Sequence, residues 1–204
     1  MKLNIPFIQS RGFECGQTCV AMMIKFYFPD FEPDFGEFNN LIGHKAGLYT
    51  FPSQNVLLLD HYGIKAKCYC GNDYFASKQD FIDSWGIKEW EAQEKFVDIK
   101  NFLKNKQKMI GLGLFEKRRH TLAELLEYTK NGFLVNIPVD WTTLSGQTGD
   151  YHGNFVIISG IEDDDILIHD PDNGPYQRYS FQALEKAYTH PVIDADAIVV
   201  FGKK

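Results

Sequence analysis

The chain has 204 residues, 44% of them hydrophobic and 15% aromatic, and is read as a single domain spanning residues 1–204 with one sizeable core. A net charge of -6 without a basic stripe argues against a nucleic-acid partner. The lysines between Lys104 and Lys108 and the run Lys117-Arg118-Arg119 are broken up and read as solvated helix ends. No apolar stretch approaches the roughly 18 residues of a membrane span, and none follows a charged leader. The expectation is therefore a cytoplasmic protein without a membrane span.

Residues 1–14 read as an extended entry, broken by Pro6 and Gly12. A helix follows from about Cys15 to Phe28, stopped by Pro29. Residues 30–50 read as loop with a short helix near Phe38. Pro52 and Ser53 open a helical run closed by Gly63, and Ile64–Cys70 reads as a strand. From Gly71 to Gln107 the pattern is helical, with Phe96, Ile99 and Leu103 at intervals of three and four. Residues 71–130 are the candidate helical insertion, and Trp85 and Trp90 within it read as core residues. Met109–Leu114 is expected as a short strand. Thr121 caps a helix closed by Asn131-Gly132. Strands are expected at Phe133–Val139, Phe155–Ile161, Ile166–His169 and Ala197–Phe201, with a helix at Phe181–Tyr188 before the last. Helices first and a mostly antiparallel sheet second make an α+β plan.

The cysteines are Cys15, Cys19, Cys68 and Cys70. Neither pair has the two-residue spacing common in zinc knuckles, so reduced thiols are expected, with no metal and no cofactor. Cys15 stands where loop becomes helix, and a thiol at a helix N-terminus is expected to have a lowered pKa. A cysteine nucleophile also needs a base and a group that orients the base. Of the six histidines, His152 opens a predicted strand, and Asp170 lies on the next strand of the same pair.

Gln9, Cys15-Gly16, the run Asn154-Phe155-Val156-Ile157-Ile158-Ser159-Gly160 and Asp170-Pro171 resemble the C39-like branch of the papain-like cysteine peptidases. The resemblance covers nearly the whole chain and is weakest between about residues 71 and 130. It implies a helical N-terminal lobe carrying the cysteine and an antiparallel sheet carrying the histidine and aspartate. A glutamine six residues before the cysteine contributes to the family's oxyanion hole, and that spacing selects Cys15 over Cys19. The implied activity is hydrolysis of peptide or amide bonds in a peptide or protein partner. Cys15 would attack, His152 would carry the proton, Asp170 would orient the ring, and Gln9 with the backbone N–H of Cys15 would hold the oxyanion.

One position departs from the family. Its histidine directly precedes the aromatic residue of the strand, and here that residue is Asn154. The separation from Asn154 to Asp170 has the size such members show. An amide is no general base at neutral pH, so either His152 takes the role or the triad is broken. On a regular strand His152 is displaced by about 6.6 Å, which a bulge at Gly153 would shorten. The run Tyr151-His152-Gly153-Asn154-Phe155 also resembles guanylyl-cyclase-domain-containing proteins of eukaryotes, without the paired metal-binding carboxylates of a cyclase. The alternative to a hydrolase is an inactive peptidase-like binding or regulatory module.

Overall fold

The computed structural model describes residues 1–12, 14–71, 77–193 and 195–204. Its first helix, α1 (Cys15–Tyr27), is buried continuously from Gly16 to Ile24. A helix without a polar stripe must be enclosed on all sides. Here the enclosure comes from two further helices and from the sheet. Asp34 caps α2 (Phe35–Ile42) by accepting from the Glu37 N–H, and Gly43, at φ 64°, closes it. Next comes α3 (Pro52–His61), which begins with its proline in the first turn, where the missing N–H costs nothing. It packs close to α1 at Gly16, where a Cβ would stand 3.0 Å from the amide atoms of Asn55.

The strand β1 (Ile64–Cys70) leads past the 72–76 gap in the described residues to α4 (Lys78–Trp85), α5 (Ile87–Gln93), a 3-10 turn at Glu94–Phe96, and α6 (Ile99–Gly111). Phe81, Trp90, Phe102 and Met109 join the same core as Met22 and Leu58. Trp90 is a core residue, as expected, and its indole N–H donates to Glu94 at 2.8 Å. The strand expected at Met109–Leu114 is displaced. Buried Phe102, Asn105 and Met109 keep the segment helical to Gly111, and pairing begins only at β2 (Phe115–Lys117).

The second half alternates more quickly. After α7 (Leu122–Lys130), capped reciprocally by Thr121 and Glu124, come β3 (Leu134–Asp140) and the one-turn α8 (Trp141–Leu144). Then follow β4 (Gly153–Glu162), β5 (Asp165–Asp170), β6 (Gly174–Tyr179), α9 (Phe181–Tyr188) and β7 (Ala197–Lys203). The sheet order is β2-β1-β7-β3-β4-β5-β6, antiparallel throughout except for β1–β2. Side chains alternate across it. Phe155 and Ile157 of β4 join the core around α1, whereas Val156 and Ile158 face Leu125 of α7 and Leu184 of α9. The α+β plan of the sequence is the plan of the fold. Among the described residues no helix is long and apolar enough to cross a membrane.

The entry segment is stitched to this sheet. Leu3 N donates to Ser159 O and Ile161 N to Met1 O, both at 2.8 Å. Gly160 admits that approach, because a Cβ there would lie 2.3 Å from Met1 O. Gly160→Ala is therefore expected to destabilise the protein by roughly 1–3 kcal/mol, the range typical of overpacking. Urea unfolding, read beside amide exchange at Leu3 and Ile161, checks this; an unchanged midpoint with intact protection would contradict it.

Candidate active site

Cys15 is the first residue of α1 and opens onto a cleft of about 500 Å³. Cys19 lies one turn further along, completely buried, with its Sγ donating to Phe155 O at 3.3 Å. Only Cys15 of this pair lines the cleft. Part of it is accessible from the mouth, but the protein packed around it is dense, and burial pushes its thiol up to about 12. Backbone N–H groups of Phe155 and Gly16 oppose that rise, while Asp172 and Asp170 add to it. The lowering expected from the helix N-terminus is overridden. A fractional dipole charge is outweighed when desolvation and two nearby carboxylates all disfavour the thiolate.

Asp170, at the end of β5, is completely buried. Its Oδ1 accepts from Asn154 Nδ2 at 3.0 Å, Asp172 N at 2.9 Å and Asn173 N at 3.2 Å. Its Oδ2 accepts from Asn173 Nδ2 at 2.9 Å. Asn154 thus makes the contact through which an aspartate would orient a catalytic ring. It is 4% exposed and lines the cleft with Cys15, and its Oδ1 has no hydrogen-bond partner among the described residues.

His152 lies just outside β4 and is exposed. Its N–H donates to Asp140 Oδ1 at 3.0 Å and its carbonyl accepts from Trp141 N at 2.7 Å, which fixes its backbone to the junction of β3 and α8. The register Gly153↔Asp140, Asn154↔Val139 continues without a shift, and the irregularity in β4 falls instead between Ile158 and Gly160. The bulge at Gly153 that would carry His152 towards the position of Asn154 is absent from this pairing. His152 does line the cleft that holds Cys15.

Gln9 points elsewhere. Its Nε2 donates to Pro171 O at 2.8 Å and Asp172 O at 3.0 Å, so both amide protons are committed to the turn after β5. It lines a separate groove with Phe7 and Arg11 rather than the cleft of Cys15.

Several residues of the site were not expected there from the sequence, and Trp85, expected in the core, is partly buried against it and also lines the cleft. Fully buried Gln17 accepts from Thr50 Oγ1 at 2.9 Å and donates to Asn39 Oδ1 at 3.1 Å, and Asn39 Nδ2 donates to Glu14 Oε1 at 3.1 Å. This relay anchors the residue before Cys15 through three separate elements. Tyr49, Trp85, Phe96 and Tyr151 form aromatic walls of the cleft. They come from two loops and the ends of two helical segments, so no periodicity joins them.

The helical lobe, the sheet order and the position of Cys15 invite comparison with solved proteins. The fold is that of the C39 peptidase domains. The peptidase domain of Streptococcus ComA, a bifunctional ABC transporter of a quorum-sensing pathway, superposes with a TM-score of 0.56 at 12% identity, covering 98% of each chain. A C39-like peptidase from Bacillus anthracis gives 0.55 at 16% identity, over 100% of this chain and 99% of that one. The double-glycine-motif protease of an AMS/PCAT transporter, solved with its leader peptide, gives 0.52 at 12% identity over 98% and 93%. No protein-family model matches the chain, and no curated protein sequence matches it. At these identities the likeness is one of fold.

A thiol pushed up to about 12 has a definite pH signature. Such a thiol is ionised far less at pH 8 than an ordinary thiol with a pKa of about 8.5. Iodoacetamide labelling of Cys15, followed by mass spectrometry of the folded protein, should rise about tenfold per pH unit from pH 7 to pH 10. A plateau below pH 8 would show an activated thiolate instead.

Proposed function

We propose that this chain is a peptide-binding module on the C39 peptidase fold that does not hydrolyse what it binds. The contact between Asn154 Nδ2 and Asp170 Oδ1 carries the reading. It keeps the geometry of an orienting aspartate while holding an amide in place of a base. An amide nitrogen has no basic lone pair to take the thiol proton. The raised thiol pKa of Cys15 and the commitment of both Gln9 amide protons support the same conclusion. The cleft remains open and lined, as a binding site requires. The relative solved with a leader peptide makes a peptide the natural class of ligand.

The second reading, a thiol hydrolase in which His152 serves as base to Cys15 and Asp170 orients it, draws on one observation: His152 and Cys15 line the same cleft. It requires a displacement of about 6.6 Å along the strand direction to be absorbed, whereas a base must come within about 3 Å of the proton it takes.

Two variants separate these readings. Asn154→His should bring Cys15 labelling to a plateau near or below neutral pH and raise the rate at pH 7 by roughly 10²–10⁴-fold, the usual worth of a positioned base. Peptide turnover should stay weak even then, because Gln9 is engaged elsewhere. Wild-type protein should release no product from a pool of acetylated fluorogenic peptides. Wild-type turnover that disappears in His152→Ala would sink the module and establish the hydrolase. Cys15→Ala should leave peptide binding within about threefold of wild type, since a neutral thiol contributes only a weak hydrogen bond.

A further inference from the structure

We infer that the cleft beside Cys15 selects its peptide by a cationic side chain, a lysine or an arginine, seated between the aromatic walls with carboxylates at its edge. This rests on the peptide-binding reading and adds the ligand's chemistry. Two features of the cleft point to a cation, and a third is met by the donors such a peptide carries.

The first is the wall. Tyr49 and Phe96 stand with ring centroids 5.4 Å apart, and Trp85 and Tyr151 line the same space. Aromatic faces carry negative potential and attract ammonium or guanidinium groups within about 6 Å of the ring centre. The protein already uses one of these faces in this way, for Lys95 Nζ lies 4.9 Å from the centroid of Phe96.

The second is charge. Asp150 and Asp196 line the cleft, and Lys95 is the one lysine or arginine among its described lining residues. Further carboxylates lie behind the walls. Glu89 accepts from Gln93, whose Oε1 in turn receives the Tyr49 hydroxyl at 2.5 Å. Asp170 is buried next to Asn154. Carboxylates at and behind the walls thus outnumber Lys95, and an excess of one sign of charge in a cleft attracts the opposite ion. Burial comes first in raising Cys15, Tyr49 and Tyr151; Asp172 and Asp170 add to Cys15, Glu89 and Cys15 to Tyr49, and Tyr49, Asp140, Cys15 and Asp196 to Tyr151.

The third is unpaired acceptor capacity. Asn154 is 4% exposed, lines the cleft, and has an Oδ1 without a partner among the described residues. An orphaned buried acceptor is costly and calls for a donor. Any bound peptide offers backbone N–H donors to this atom, and an ammonium or guanidinium side chain adds further donors where a carboxylate adds only acceptors.

Calorimetric titration of the whole chain tests this with five probes: an acetylated, amidated Ala-Ala-Xaa-Ala-Ala peptide in which Xaa is lysine, arginine, norleucine or glutamate, and n-butylamine. The lysine and arginine peptides should bind at least about tenfold more tightly than the norleucine peptide, which matches lysine in apolar length, and the glutamate peptide should bind least. High salt should narrow the gap, because partly exposed charges are screened. Asp150→Asn, a change at an exposed position, and Phe96→Leu should each reduce the lysine-to-norleucine ratio about threefold or more, with melting temperature reporting that the fold is intact. Equal affinity for lysine and norleucine peptides would overturn the cation selectivity and leave the peptide module standing. Butylamine binding as tightly as the lysine peptide would overturn the assignment to a peptide. Absence of binding by every probe would overturn both. Cleavage of the lysine peptide alone would support the selectivity and overturn the non-hydrolytic reading.

Discussion

The 3.0 Å contact between Asn154 and Asp170 governs the rest of the site. Asp170 is completely buried, and such a carboxylate survives only when its lone pairs are met by donors. Two backbone N–H groups and two side-chain amides meet them, and none of the four donors carries a charge. A histidine here would become a cation on taking a proton from Cys15, and the ion pair with Asp170 would stabilise it. An asparagine offers the same hydrogen bond to the carboxylate and nothing to the thiol. Negative charge thus remains near Cys15 and contributes to its raised pKa. The interaction that holds Asp170 and Asn154 together supplies no positive charge to favour a thiolate at Cys15.

The entry segment depends on the same turn. Gln9 and Ser10 bind the carbonyls of Pro171 and Asp172, while Met1 and Leu3 bind the backbone of β4 around Ser159–Ile161. The chain leading to Cys15 is consequently fastened at two points to the strands that carry Asn154 and Asp170. Hydrogen bonds of this kind each contribute only about 0.5–1.5 kcal/mol net. Their effect here is geometric, since α1 enters at an angle set by contacts with the opposite half of the protein. The Gln17–Asn39–Glu14 relay completes the fastening from the helical side.

What the sequence revealed follows from the range of the physics involved. Elements set by local periodicity and caps were legible: the extent of β1 and α9, the start of α1, the Thr121 cap, and the α+β plan. Elements set by pairing were not. The strand β6 has Gly174 and Pro175 at its start and exists because β5 offers an edge, and α8 is one turn held by the side chain of Asp140. The site divides in the same way. The separation of Asn154 from Asp170, matched to the family resemblance, pointed to their partnership, and the six-residue step from Gln9 pointed to Cys15. The engagement of Gln9 depends on where a distant turn exposes its carbonyls, and no spacing encodes that. The thiol pKa departs from the sequence expectation for a related reason: the helix dipole is a local property, whereas burial and the two carboxylates are assembled by the whole fold.

The constraint that separates His152 from Asn154 is the sheet itself. Pairing of β3 with β4 fixes Gly153 opposite Asp140 and Asn154 opposite Val139, and Val139 and Val156 are buried in the core on that face. Sliding His152 into the place of Asn154 would move every following residue of β4. A shift of two residues keeps each side chain on its face but exchanges every cross-strand partner, and a shift of one would turn Phe155 and Ile157 out of the core around α1. The backbone of His152 is also held by Asp140 and Trp141 outside the strand. The packing that makes the sheet stable therefore opposes the movement that would supply a base. Binding makes no such demand, because it needs only the walls, charges and acceptors that the fold already holds in place.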